Sequence, residues 1–173
     1  MKRILIYTDE LCHQLPFTNT PQYHYEFRSF PGQTLDSLVY SQEVIPLSSD
    51  LREQHYHAVI ICLGQNDLDR HRSQESVVRN LLQLHDICRR HNVRQIIGLF
   101  LDSRRYREFN HLYELMSGDD IYFCNYFMDL RWENFRSDGQ HMNLAGQLRL
   151  VQSLNRLIRG DLNPPNLYGA FPT

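Results

Sequence analysis
Apolar positions follow two rhythms along this chain. Residues 2–7 (KRILIY), 57–63 (HAVIICL), 94–101 (RQIIGLFL) and 121–127 (IYFCNYF) are near-continuous apolar runs that read as strands covered on both faces. Residues 23–30 (YHYEFRSF) alternate well enough to be another strand, ending at Pro31-Gly32. Elsewhere apolar residues recur at helical spacing. Residues 73–91 place Val77, Val78, Leu81, Leu84, Ile87 and Cys88 on one side, with Ser73 as N-cap. Residues 34–44 carry Leu35, Leu38 and Val39, residues 106–116 form another helix, and Leu144, Leu148, Val151, Leu154 and Ile158 mark the last. A short helix is predicted over 9–15, a loop over 17–22 and a break in the pattern over 46–50.

Five strands alternating with helices predict a three-layer α/β/α sandwich, a doubly wound parallel sheet in one domain over residues 1–160. Residues 161–173 (DLNPPNLYGAFPT) have no periodicity and read as an irregular tail. Ligands in such sheets bind beyond the carboxyl ends of the strands, which directs attention to five polar clusters. These are Thr8-Asp9-Glu10, Pro31-Gly32-Gln33, Gly64-Gln65-Asn66-Asp67, Asp102-Ser103-Arg104-Arg105 and, before the last helix, Asp138-Gly139-Gln140-His141.

Composition adds three points. A chain of 173 residues with 42% hydrophobic and 12% aromatic content can bury a core, and a net charge of −2 argues against a globally basic nucleic-acid binder. All 18 basic residues except Lys2 are arginine, a bias that suits phosphate and RNA contact but also follows from gene base composition. Cys12, Cys62, Cys88 and Cys124 form no C-x-x-C pair and read as buried thiols of a reducing compartment. The first apolar run is too short for a signal peptide, so a cytoplasmic or nuclear protein without a membrane partner is expected. His55 and His57 share a strand face without a third ligand, so neither metal nor cofactor is expected.

Two clusters carry mechanical content. Asp138 three residues before His141 can hold one imidazole nitrogen while the other faces the cleft, as a general base requires. Gly64-x-Asn66-Asp67 can aim an amide at a developing oxyanion, with Gly32 offering a backbone N–H to the same point. Taken singly these are turns and caps; their order along the chain makes them informative.

That order resembles the SGNH (GDSL-like) hydrolase superfamily across residues 2–160. Gly32, Gly64, Asn66, Asp67, Asp138 and His141 match its motifs, and DGQHMNLAGQLRL, with Asn143 and Gly146, is the best single match. The resemblance implies a flavodoxin-like five-stranded parallel sheet of order 2-1-3-4-5. It also implies an oxyanion hole from the nucleophile's own N–H, the Gly32 N–H and the Asn66 amide. The first motif departs: ILIYTDEL places Thr8, Asp9 and Glu10 where the family has Gly-Asp-Ser. Thr8 falls two positions early and Cys12 two late to replace the serine.

Two functions follow from the departure. In the first and preferred one, the chain is a non-catalytic binding or scaffold module. Glu10 then fills the oxyanion hole, and Gly32, Asn66, Asp138 and a protonated His141 form a structural network around it. Its partner is another protein or RNA gripped by Arg104, Arg105 and Arg107 with Tyr106 among them. Arg89, Arg90 and Arg94 lie at the opposite sheet edge. Pseudo-hydrolase domains of the Oskar C-terminal type, which bind RNA, are similar. In the alternative, the chain is an esterase for acyl or acetyl groups, using Asp138–His141 with Glu10 as base or nucleophile on a small ester substrate; retrotransposon-encoded esterase domains are similar.

Overall fold
A computed structural model describes residues 1–40, 45–125 and 130–160. Five strands form one parallel sheet: β1 (Lys2–Thr8), β2 (Tyr23–Ser29), β3 (Ala58–Cys62), β4 (Gln95–Leu99) and β5 (Ile121–Cys124). Their spatial order is β2-β1-β3-β4-β5, as the resemblance implied. Thr8 pairs with both Ser29 and Cys62, so the carboxyl ends of β1, β2 and β3 finish level. The strand order reverses between β2 and β3, on either side of β1, and this switch point opens a crevice above the sheet.

The continuous apolar runs are explained by burial on both faces. Leu5, Tyr7, Val59 and Ile61 point into a core covered by α1 (Leu35–Val39), α2 (Pro46–Glu53), α4 (Gln74–Arg90) and α5 (Ser103–Met116). The intervening Ile4, Ile6, Ala58 and Ile60 point to the other face. There they meet α6 (Leu144–Ile158) through Leu150, Leu154 and Leu157, with Cys12 and Leu15 beside it. Fully burying each such aliphatic side chain contributes roughly 1.5–3 kcal/mol, so both layers are needed to hold the sheet. All four cysteines are buried and free. No helix among the described residues is long and apolar enough to cross a membrane.

Three local expectations are corrected. Residues 9–15 form bends and a turn instead of a helix. The Asp9 carboxylate takes the Leu11 N–H at 2.9 Å, an Asx-type turn that competes with helix formation, and Gln14 has φ 67°. Residues 46–53 are helical where a break was expected, because Pro46 occupies the first turn, where its missing N–H costs nothing. The helix expected over 106–116 begins at Ser103, capped by Asp102, and Tyr106 interrupts its geometry. Short α3 (Gln65–Asp69) and a 3-10 turn (Trp132–Asn134) complete the described structure. Residues 41–44 at the end of the expected second helix, 126–127 of the expected fifth strand, and the 161–173 tail lie outside the described residues.

Candidate functional site
Glu10 leaves β1 at the switch point, exposed in a cleft of about 550 Å³ lined by Asp9, Asn66, Arg136, Gln140 and His141 among others. Its carboxylate is held from two sides. Oε1 accepts the Gly32 backbone N–H, and Oε2 accepts the Asn66 amide at 3.0 Å. Three strand-end motifs far apart in sequence therefore meet on one carboxylate.

The surrounding backbone explains why they can. Gly32 has φ 70°, a left-handed conformation that glycine adopts without strain, and this turns its N–H toward Glu10. Its carbonyl accepts the Arg70 guanidinium at 2.7 Å. The loop after Gly32 is anchored by Asp67, whose two carboxylate oxygens lie 2.9 and 3.0 Å from the Leu35 N–H at the start of α1. Asp67 is buried, and desolvation pushes its carboxyl above the usual range. Sequence motif alone gave Asp67 no role; it ties the Gly32 loop to the Asn66 helix. Gly64, with φ 119°, opens that helix, and a Cβ there would press on Val77 at 3.2 Å.

Across the cleft, Asp138 and His141 form the dyad their spacing suggested. Asp138 Oδ2 lies 2.6 Å from His141 Nδ1, while Oδ1 accepts the His141 and Gln140 backbone N–H groups at 3.0 and 2.9 Å. The His141 N–H, then the Gln140 N–H and the imidazole hold the Asp138 carboxyl well below its usual range. The His141 side chain is 71% exposed, and its Nε2 has no hydrogen-bond or ion-pair partner among the described residues. The loop is seated by Asn143, which caps α6 through the Gly146 N–H at 3.0 Å and donates to the Glu133 carbonyl at 2.7 Å. Gly146 lets α6 approach the Trp132–Asn134 turn: a Cβ there would lie 2.3 Å from the Asn134 carbonyl oxygen.

The structural network expected around Glu10 is thus only half present. Gly32 and Asn66 bind the carboxylate, but no ion pair joins it to His141. Thr8 and Cys12 are fully buried, which removes both as replacement nucleophiles. One cleft group was missed: Asp9, next to Glu10 in the chain, is almost wholly buried, and desolvation pushes its carboxyl up to about 7. The charges of Glu10 and Asp67 push the same way, against the Leu11 N–H.

Of the arginine cluster, Arg104 and Arg105 are engaged and Arg107 is set apart from them. Arg104 bonds Asp102 and the Gly139 carbonyl and stacks over Phe135, 4.5 Å from the ring centroid. Arg105 lies 3.7 Å from Asp69, whose carboxylate also receives the Tyr106 hydroxyl. Arg107 turns to a separate depression of about 380 Å³ with Ser103, His111 and Glu114. At the other sheet edge Arg89 is bound by Asp120 and Asp86. Among the described residues no set of three His, Cys, Asp or Glu groups is placed to hold a metal ion.

No protein-family model matches the sequence, and no curated relative matches it. Solved structures do. A GDSL-like lipase from Bacteroides thetaiotaomicron superposes with a TM-score of 0.73 at 15% identity, covering 93% of this chain and 89% of that one. The fold is SGNH-hydrolase-like. A psychrotrophic esterase, EstA, from Pseudoalteromonas sp. shares this SGNH-like fold with a TM-score of 0.71 at 18% identity, over 94% of this chain and 100% of its own. TesA shares it with a TM-score of 0.70 at 18% identity, over 93% and 100%. Two N–H donors meeting on one carboxylate, in the same cleft as an oriented imidazole, can stabilise developing negative charge and activate a water. At that point this chain carries Glu10.

Proposed function
We propose that the cleft is a hydrolase site for ester-type bonds in which the Glu10 carboxylate is the reacting group and His141, oriented by Asp138, is the base that activates water. The observation that carries this reading is the unspent dyad. If Glu10 were only a plug, its neighbours would serve to neutralise it, yet His141 lines the same cleft and makes no ion pair with Glu10. An exposed imidazole bound at 2.6 Å to a carboxylate is oriented for proton transfer. A carboxylate with each oxygen held by one donor is oriented for attack. The likeness to a lipase and an esterase agrees with this reaction class.

The binding-module reading has less support. Its RNA version needs arginines free to grip phosphates, and both Arg104 and Arg105 are committed to carboxylates. The test uses two chromogenic esters, para-nitrophenyl acetate (cleaved at an acyl carbon) and methyl para-nitrobenzenesulfonate (cleaved at an alkyl carbon). The unmodified protein should turn over at least one, and His141→Ala should reduce that rate roughly 100- to 10,000-fold. Turnover of neither ester would return the chain to the binding-module reading, and full turnover by His141→Ala would overturn the proposal by removing the dyad from the reaction.

A further inference from the structure
The position of Glu10 selects between two kinds of ester cleavage. Hydrolysis at an acyl carbon needs the substrate's carbonyl oxygen to sit on the donor pair, but the Gly32 N–H and Asn66 amide already hold Glu10. Attack by Glu10 on an acyl carbon would also yield an anhydride. Attack on a saturated carbon has neither difficulty: the substrate brings no carbonyl, and the product is an ordinary alkyl ester of Glu10. In that ester the acyl carbon is Glu10's own Cδ, and its carbonyl oxygen, Oε1, already rests on the Gly32 N–H. The two donors then serve the second step: water adds to Cδ, negative charge develops on Oε1 against the Gly32 N–H, and the Asn66 amide stays on Oε2, the oxygen that departs with the alcohol.

We infer, resting on the hydrolase reading above, that the cleft cleaves alkyl electrophiles, namely alkyl carbons bearing a leaving group that departs as an anion, through a covalent alkyl ester of Glu10. In the first step Oε2, whose hydrogen bond is the 3.0 Å contact from Asn66, attacks the carbon. The carbon–leaving-group bond breaks, its electron pair departs with the anion, and Oε1 stays against the Gly32 N–H as the carbonyl oxygen. The anion leaves toward Arg136, a cleft-lining cation that forms no ion pair among the described residues. In the second step His141 Nε2 takes a proton from water, the hydroxide adds to Cδ, and the tetrahedral oxyanion collapses. The alcohol departs with the proton from His141, and the Glu10 carboxylate returns to its two donors. The net reaction is alkyl electrophile plus water to alcohol, proton and free anion.

The isotope route is diagnostic. Water attacks Cδ and not the substrate, so the first turnover in heavy-oxygen water places the label in the Glu10 carboxylate and leaves the first alcohol unlabelled. The test uses methyl para-nitrobenzenesulfonate as probe, with peptide mass spectrometry. Burial of all four cysteines limits background methylation of thiols. His141→Gln should accumulate a methyl ester on the peptide containing Glu10, in proportion to enzyme, while its steady-state rate falls roughly 100- to 10,000-fold. Glu10→Gln should form no such ester. In the unmodified protein a single turnover should label that peptide. Turnover of para-nitrophenyl acetate without turnover of the sulfonate would overturn this inference and leave the hydrolase reading standing. Sulfonate turnover with label only in the methanol would also overturn it, whereas turnover of neither ester removes both.

Discussion

Asp9 follows β1 and lines the cleft, 3% exposed, with a carboxyl raised from its ordinary 3.8 to about 7 chiefly by burial. A folded-state value above the unfolded one means that the folded protein binds the proton more tightly. The resulting stabilisation is fully present below pH 3.8 and is lost as pH rises through about 7. At roughly 1.4 kcal/mol per pH unit, this group weakens the fold by about 2–3 kcal/mol between pH 5 and pH 8. Asp9→Asn keeps an oxygen that can accept the Leu11 N–H but removes the titration. The assay is urea unfolding of both proteins at pH 5, 6, 7 and 8. With slopes of about 1–3 kcal/mol per molar urea, the variant's midpoint should gain on the unmodified protein by roughly 1–2 M across that range. Subtracting the two at each pH cancels groups elsewhere. One is buried His85, pushed down to about 4 by desolvation, which destabilises in the opposite direction on acidification. A midpoint difference that stays constant from pH 5 to pH 8 would show that Asp9 does not titrate there and would refute the burial argument.

Two further predictions concern how the site is held together. Asp67→Ala removes the acceptor for the Leu35 N–H and should cost about 1–3 kcal/mol in urea unfolding. It should also reduce turnover, because the Gly32 loop loses its tie to the Asn66 helix. Gly146→Ala puts a methyl group 2.3 Å from the Asn134 carbonyl oxygen, which must move. The predicted cost is about 1–3 kcal/mol by thermal melting, with loss of activity because the turn carrying Asp138 and His141 moves with Asn134.

What could be read from the sequence follows the range over which each feature is determined. The apolar runs at Ile4–Tyr7 and Ala58–Cys62 specified doubly covered strands, because burial on both faces leaves no polar position. The Asp138–His141 contact was legible because it spans three residues and one turn. The meeting of Glu10, Gly32 and Asn66 was legible only through motif order, since it depends on three strands ending at one level. Local competition misled the reading at residues 9–15 and 46–50, where a side-chain-capped turn and a proline in the first helical turn reversed the expected states. Long-range pairing was illegible. Arg104 meets the carbonyl of Gly139 and Arg105 meets Asp69 across 35 and 36 positions, so a run of arginines that looked free is mostly spent. The separation of His141 from Glu10 belongs to the same class, because loops from opposite ends of the chain set it.

The central claim is that Glu10 occupies the nucleophile position of an otherwise complete hydrolase site, and Glu10→Ser tests it most directly. That substitution frees the Gly32 and Asn66 donors for a substrate carbonyl and supplies a hydroxyl facing His141. Mixed with para-nitrophenyl acetate, the variant should release a burst of nitrophenolate stoichiometric with enzyme. The unmodified protein should show no burst, and Glu10→Ser combined with His141→Ala should show none either. If Glu10→Ser gives no burst while remaining folded, the cleft is not a hydrolase site aligned on residue 10, and the account is contradicted.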